Sequence, residues 1–174
     1  MKKLIITFSI ISCILTRCVA QTKIQEGEIK AKHASYSVKK STMDFGKGHP
    51  YFIFSSKNKY EHGIPRPKSG AFPILKSDFH VNEVQIKEIV YNELTNKLKE
   101  LHNHNESLSI YFVFETNGEL TDTYYTLQEN TLITSQEIDA IDNRLRAEIR
   151  ATFTGRDYQN YKAVNYPYFK PVVF

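Results

Sequence analysis

The stretch SLSIYFVFETNGELTDTYYTL, Ser107 to Leu127, constrains the fold of this chain more than any other. Leu108, Ile110, Phe112 and Phe114 alternate with Ser109, Tyr111, Val113 and Glu115, the period of a strand with one buried face. Asn117-Gly118 tolerates positive φ, so the chain can reverse there into a second strand. Two registers are open. Thr123, Tyr125 and Leu127 share the buried face, or a one-residue slip gives that face to Tyr124. The first is preferred. Thr116-Asn117-Gly118 also suits a three-residue bulged turn. A hairpin alone is marginal in water, so its apolar face must be covered by other elements.

Two helices are predicted to cover it. In VNEVQIKEIVYNELTNKLKELHN, residues 81–103, Ile86, Val90, Leu94, Leu98 and Leu101 form one apolar stripe. Asn82 is placed to cap the start. Glu93 and Lys97 stand four apart in the favourable order for a pair. The second helix is capped by Thr134 or Ser135, with Glu137 in its first turn. Ile138, Ile141, Leu145 and Ile149 are its buried stripe. Asp139, Asp142, Arg144, Arg146, Glu148 and Arg150 are expected mostly on the wet face, and Gly155 ends the pattern.

The rest supplies strands and loops. Glu28 to Lys40 alternates as one half-exposed strand, and Tyr51 to Ser56 reads as a short buried one. Pro65, Pro67 and Pro73 mark an irregular surface loop. The last strand falls within YKAVNYPYFKPVVF, and Pro167 and Pro171 place it at an edge or interrupt it. The expected fold class is α+β: an antiparallel sheet packed by two amphipathic helices, with extra N-terminal strands and the hairpin at its centre.

The N-terminus has another purpose. Lys2 and Lys3 precede an apolar run from Leu4 to Leu15, and Cys18-Val19-Ala20 forms a small-residue cleavage site. This is the plan of a secretory signal over residues 1–20, leaving 21–174 as a single domain. Arg17 closes the run short of the ~20 apolar residues that a membrane span needs, so no transmembrane helix is expected in the mature chain. A lipid anchor at Cys13 is the alternative. The expected location is the periplasm or cell envelope.

Cleavage removes both cysteines, Cys13 and Cys18, and with them any disulfide or thiolate chemistry. It also removes three of the 23 basic residues and none of the 19 acidic ones, leaving a chain close to neutral. That balance offers no nucleic-acid footprint and no polybasic membrane patch.

From Ser107 onward the order is strand, turn, strand, helix, strand. With Ile110, Phe112, Phe114, Gly118, Leu120 and Tyr125, then the helix over Ile138 to Ile149, this resembles the C-terminal domain of TonB, the periplasmic energy transducer. The resemblance implies a β-β-α-β second half and a sheet edge available to another strand. TonB's membrane anchor and long Pro-rich spacer have no counterpart, so energy transduction is not implied. The signal, the Tyr-rich body and the aromatic C-terminus also resemble small exported Bacteroidota proteins of unknown function.

Motifs for chemistry are weak. His102-x-His104 with Glu106 lies between helix and strand and lacks a third ligand for zinc. Asp44-Phe45-Gly46 has none of the other kinase motifs around it. Glu115, Glu119 and Asp122 crowd the hairpin turn, where acidic residues are usually just solvated. No cofactor and no metal are implied. Two features suit binding: Arg66 and Phe72 on the Pro-stiffened loop, and Tyr158, Tyr161, Tyr166, Tyr168 and Phe169 in the last segment. The expected role is a non-enzymatic binding or accessory domain, meeting an envelope protein by edge-strand addition or at the Tyr-rich end. A small hydrolase of peptides or glycans using carboxylates is one alternative. A self-associating structural component is another.

Overall fold

A computed structural model describes residues 23–174 other than Phe45, Lys47 and Tyr168. The expected signal segment, with Cys13, Cys18 and the expected cleavage site, lies outside the described residues. In chain order the elements are β1 (Gly27–Lys30), β2 (Ser35–Lys40), β3 (Tyr51–Ser55), β4 (Phe79–Val81), α1 (Glu83–Glu93), α2 (Leu98–Asn103), β5 (Ser107–Glu115), β6 (Leu120–Leu127), α3 (Ser135–Glu148), β7 (Ala151–Phe153), β8 (Ala163–Tyr166) and β9 (Val172–Val173). Seven strands form one antiparallel sheet in the order β1-β2-β3-β6-β5-β8, with β9 also on β5. The expected α+β class holds, and the β5–β6 hairpin is its centre.

The helices lie on one face of the sheet. Leu108, Ile110, Phe112 and Phe114 of β5 and Tyr125 and Leu127 of β6 are buried there, against Ile86, Ile89, Val90 and Leu94 of the first helical segment and Ile138, Ile141 and Leu145 of α3. The preferred register is therefore the one adopted, with Ile110 opposite Tyr125 and Phe112 opposite Thr123. Each such aliphatic or aromatic side chain contributes about 1.5–3 kcal/mol when fully buried. Four aromatic rings close one end of this core. Phe79 stacks on Phe153 at 4.5 Å and meets Tyr166 and Phe114 edge-on at 5.0 and 5.8 Å. Phe79 and Phe153 come from β4 and β7, a separate two-stranded sheet too short for the sequence pattern to reveal.

Three local expectations need correction. Glu28 to Lys40 is two strands, because the Ala31 N–H donates to the Ala34 carbonyl (3.0 Å) and the His33 and Ala34 N–H groups donate to Asp139 of α3 (2.9 and 3.0 Å). A distant carboxylate thus turns a chain whose alternation favours continuing straight. The long helix breaks at Leu94 into a 3-10 turn over Thr95–Lys97 and then α2, so the described residues hold three α-helices where two were expected. Glu93 and Lys97 do not pair with each other: both reach α3, Glu93 to Arg144 (2.9 Å) and Lys97 to Glu137 (2.8 Å). The expected caps are present. Asn82 accepts from the Gln85 N–H, and Thr134 and Glu137 form a capping box.

The closing strand is split. β8 pairs Phe112 to Glu115 and β9 pairs Ser107 and Leu108, with Pro167 and Pro171 in the excursion between them. No helix among the described residues is long and apolar enough to cross a membrane.

The hairpin closes through Thr116, Asn117 and Gly118, the three-residue form, with the Glu115 N–H donating to Glu119 O and the Gly118 N–H to Glu115 O, both at 2.8 Å. Gly118 sits at φ +91°, and a Cβ there would stand 2.4 Å from the carbonyl oxygen of Ala151. Gly118 O in turn accepts from the Ala151 N–H at 2.9 Å. Gly118→Ala is therefore expected to cost about 2 kcal/mol or more through left-handed strain and displacement of β7, read as a lower urea midpoint. An unchanged midpoint would show that neither constraint holds.

Candidate functional site

The residues expected to bind are dispersed by the structure. Tyr166 and Phe169 are core, 5% and 8% exposed, and this corrects the expectation of a Tyr-rich surface at the C-terminal end. The Tyr166 hydroxyl donates to Glu83 at 2.5 Å, and Phe169 meets Phe112 edge-on at 5.5 Å. Tyr166 is opposite Phe112, whose side chain faces the helices, so it turns inward with it. Tyr168 lies outside the described residues. Tyr158 is half-buried against Phe153. Tyr161 is half-buried and donates its hydroxyl to the Phe72 carbonyl at 3.0 Å, which brings the two expected features side by side. Phe72 is 71% exposed and Arg66 is also exposed.

Pattern reading also misplaced Asp139 and Asp142, which are 2% and 1% exposed. Asp142 accepts from the hydroxyls of Tyr36 (3.3 Å), Ser55 (3.2 Å), Tyr125 (2.8 Å) and Thr123, and from Arg146 Nε (3.1 Å). Arg146 continues to Asn58 Oδ1 (2.7 Å), Thr123 Oγ1 (2.9 Å) and the Thr121 carbonyl. Asp139 receives the Tyr36 hydroxyl at 3.0 Å besides the two N–H groups of the β1–β2 turn. The signal was available: four hydroxyl side chains fall on the buried face of the sheet, where an apolar residue would be expected, and they need an acceptor. This is a closed, satisfied seam between α3 and the sheet.

Among the described residues no helix covers the other face of the sheet, and its side chains are lined up by the strand register. Glu28 of β1 is opposite Ser37 of β2, Ser37 opposite Phe54 of β3, Phe54 opposite Tyr124 of β6, and Tyr124 opposite Tyr111 of β5. Beside this row runs a second: Lys39, Phe52, Thr126 and Ser109. Strands lie about 4.8 Å apart, so the three aromatics from Phe54 to Tyr111 span roughly 10 Å. Phe54 and Tyr124 meet edge-on at 5.5 Å, and the Lys39 ammonium sits 5.5 Å above the Phe54 ring. Tyr111 is 54% exposed.

Three hollows lie along these rows. The first, about 450 Å³, is lined by Glu28, Ser37, Lys39, Phe54, Glu61 and Tyr124 among others. The second, about 370 Å³, includes Pro50, Phe52, Ser109, Tyr111 and Thr126. The third, about 330 Å³, includes Tyr111, Tyr124, Asn165 and Pro167. Tyr124 borders the first and third and Tyr111 the second and third, so the three hollows adjoin as a trough partitioned by these two rings.

Carboxylates hold the Lys59–Tyr60 turn beside Tyr124. Asp122 is buried and accepts the Lys59 and Tyr60 N–H groups at 2.7 and 2.8 Å and the Tyr124 hydroxyl at 3.2 Å. Glu115 accepts from the Lys59 ammonium (2.5 Å) and the Tyr60 hydroxyl (2.6 Å), and these bonds hold its carboxyl below the usual range. Such a carboxyl is an ion-pair partner and a poor proton donor. Among the described residues, no group of three or more His, Cys, Asp or Glu side chains is placed to hold a metal ion. His104 pairs with Glu106 at 3.1 Å.

No family model matches the chain, and no curated protein matches it. Among solved structures it is similar to a DUF5043 family protein from Bacteroides uniformis ATCC 8492, with a TM-score of 0.59, 14% identity and 84% of each chain covered. What the two share is the fold. The likeness is to a Bacteroidota protein, in line with the resemblance drawn from the sequence. The TonB resemblance rests on the residues and element order of the second half and gains no support from this likeness.

Two outcomes follow from the seam. Asp142→Ala leaves Arg146 Nε and the hydroxyls of Ser55, Thr123 and Tyr125 without this acceptor, while Tyr36 keeps Asp139, and is expected to cost about 3–5 kcal/mol, read as a lower urea midpoint. A loss below about 1 kcal/mol would mean the seam is dispensable.

Burial first, then the nearby carboxylates, raises the tyrosines. Tyr124 and Tyr60 are each pushed up to about 12, and Tyr36 and Tyr125 are raised as well. Unfolded tyrosines titrate near 10, so between the two values the folded chain keeps protons that the unfolded chain releases. The stabilisation is complete below pH 10 and falls as pH rises through the folded values. Urea midpoints taken from pH 8 to pH 12 are expected to drop only above about 10, with a shallower drop in Tyr36→Phe. An equal slope in that variant would remove Tyr36 as a cause.

Proposed function

We propose that this protein is an exported, non-enzymatic binding module of the cell envelope that presents the helix-free face of its sheet to its ligand. The observation that supports it is the cross-strand row Phe54–Tyr124–Tyr111, which runs along adjoining hollows of the sheet face. Aromatic side chains on a rigid sheet give contact area at little entropic cost. The open face of an antiparallel sheet is ordinarily polar, so three aromatics in register there are in excess of what solubility asks for.

Edge-strand addition is the less supported mode. β1 is four residues long and carries Glu28 and Lys30, while the opposite edge is divided between β8 and β9 around Pro167 and Pro171. Short, charged or proline-broken edges are the usual means of keeping a sheet from adding a strand. Export itself rests on the N-terminal signal pattern.

The test is capture of bound material from native envelope extract on immobilised protein, alongside Tyr111→Arg and Val172→Pro columns. Material held by the wild type and by Val172→Pro, and lost by Tyr111→Arg, is expected. Loss on the Val172→Pro column alone would move the site to the β9 edge. No retention by the wild type would count against a binding role.

A further inference from the structure

Resting on that reading, we infer that the ligand of the trough is an uncharged oligosaccharide chain laid across the strands. Three features of the surface select that chemistry. Tyr111, 54% exposed, and Tyr124 beside it supply ring surface for the C–H faces of sugar rings, and Phe54 extends the row with Lys39 over its ring. Steps of about 4.8 Å between strands are on the scale of one sugar ring, so the 10 Å aromatic segment suits two or three residues of a chain.

The groups flanking the aromatics are the second feature. Ser37, Ser109, Thr126 and Asn165 lie on the same face of β2, β5, β6 and β8. Hydroxyls donate and accept, and an amide does both through separate atoms, which matches the mixed demand of sugar hydroxyls. A peptide laid on this surface is served less well. The strand N–H and C=O groups are engaged in the sheet ladders, and a peptide's own backbone would depend on a few side chains for its hydrogen bonds.

Charge is the third. Glu28, Glu61 and Lys39 are the charged side chains that line the first hollow, beside His62, while the second and third are lined by uncharged residues. A trough with carboxylates at one end and one ammonium in its wall repels polyanions. That sets aside acidic polysaccharides, nucleic acid and phosphorylated head groups in favour of a neutral chain.

The test is native affinity electrophoresis of the purified protein through gels containing xyloglucan, galactomannan, mixed-linkage β-glucan, α-mannan or glycogen, with polygalacturonate as the anionic comparison. Retardation in at least one neutral gel is expected, with binding at least tenfold weaker in Tyr111→Ala and in Tyr124→Ala. Phe72→Ala, on a different surface, is expected to bind as the wild type does. Tyr124→Phe keeps the ring and is expected to keep most of the affinity, which separates ring contact from loss of the Asp122 hydrogen bond.

No retardation in any neutral gel overturns the assignment, as does retardation that Tyr111→Ala leaves unchanged or that only polygalacturonate produces. The two readings fail separately. A protein captured from envelope extract through Tyr111, with no glycan retarding the chain, removes the sugar and leaves the binding face standing.

Discussion

The bonds to Asp142 are the point on which the rest of this structure depends. One buried carboxylate on α3 collects hydroxyls from β2, β3 and β6 and the guanidinium of Arg146 one turn further along the helix. Apolar packing alone would let α3 slide or rotate on the sheet at modest cost. A charge that must keep five donors in reach allows one placement, because any other leaves a buried group unsatisfied. Asp139, one turn earlier, applies the same condition to the β1–β2 turn. Arg144 and Glu137 then bring the first helical pair to α3 by ion pairs on its more exposed side.

That seam decides which face of the sheet is left open. The hydroxyls of Tyr36, Ser55, Thr123 and Tyr125 are spent inside, and the alternation of the strands sends Ser37, Phe54, Tyr124 and Tyr111 to the other side. Core and trough are consequences of one register. The neighbouring turn is tied in as well, since Asp122 and Glu115 hold Lys59 and Tyr60, and Asn58 exchanges hydrogen bonds with both main-chain groups of Thr123 (2.9 and 3.1 Å). A surface supported this way is organised before a ligand arrives, which lowers the ordering cost of binding.

Much of the framework was legible in the chain. The period-2 run of Leu108 to Phe114, the turn ending at Gly118, the stripe from Ile86 to Leu101 and the capping box at Thr134 each rest on neighbours within a few residues, and each is present. The candidate site was less legible. Tyr166 and Phe169 read as surface aromatics because pattern alone does not say which side of an edge strand faces the helices. Phe54, Tyr124 and Tyr111 could not be recognised as one row, because they come from three strands whose alignment depends on pairings 13 to 70 residues apart in sequence.

By itself, then, the sequence determined the central hairpin, its buried face and the capped starts of the two helical segments, because periodicity, capping and turn chemistry act over short separations. The tertiary structure alone decided that Asp139 and Asp142 lie inside, that residues 28–40 fold back on themselves, that the first long helix breaks at Leu94, and that four residues from β2, β3, β6 and β5 share one trough. The physical reason is the same in each case. A buried charge or an aligned row is a relation between distant segments, and its energy exists only once the strands and helices have closed around it.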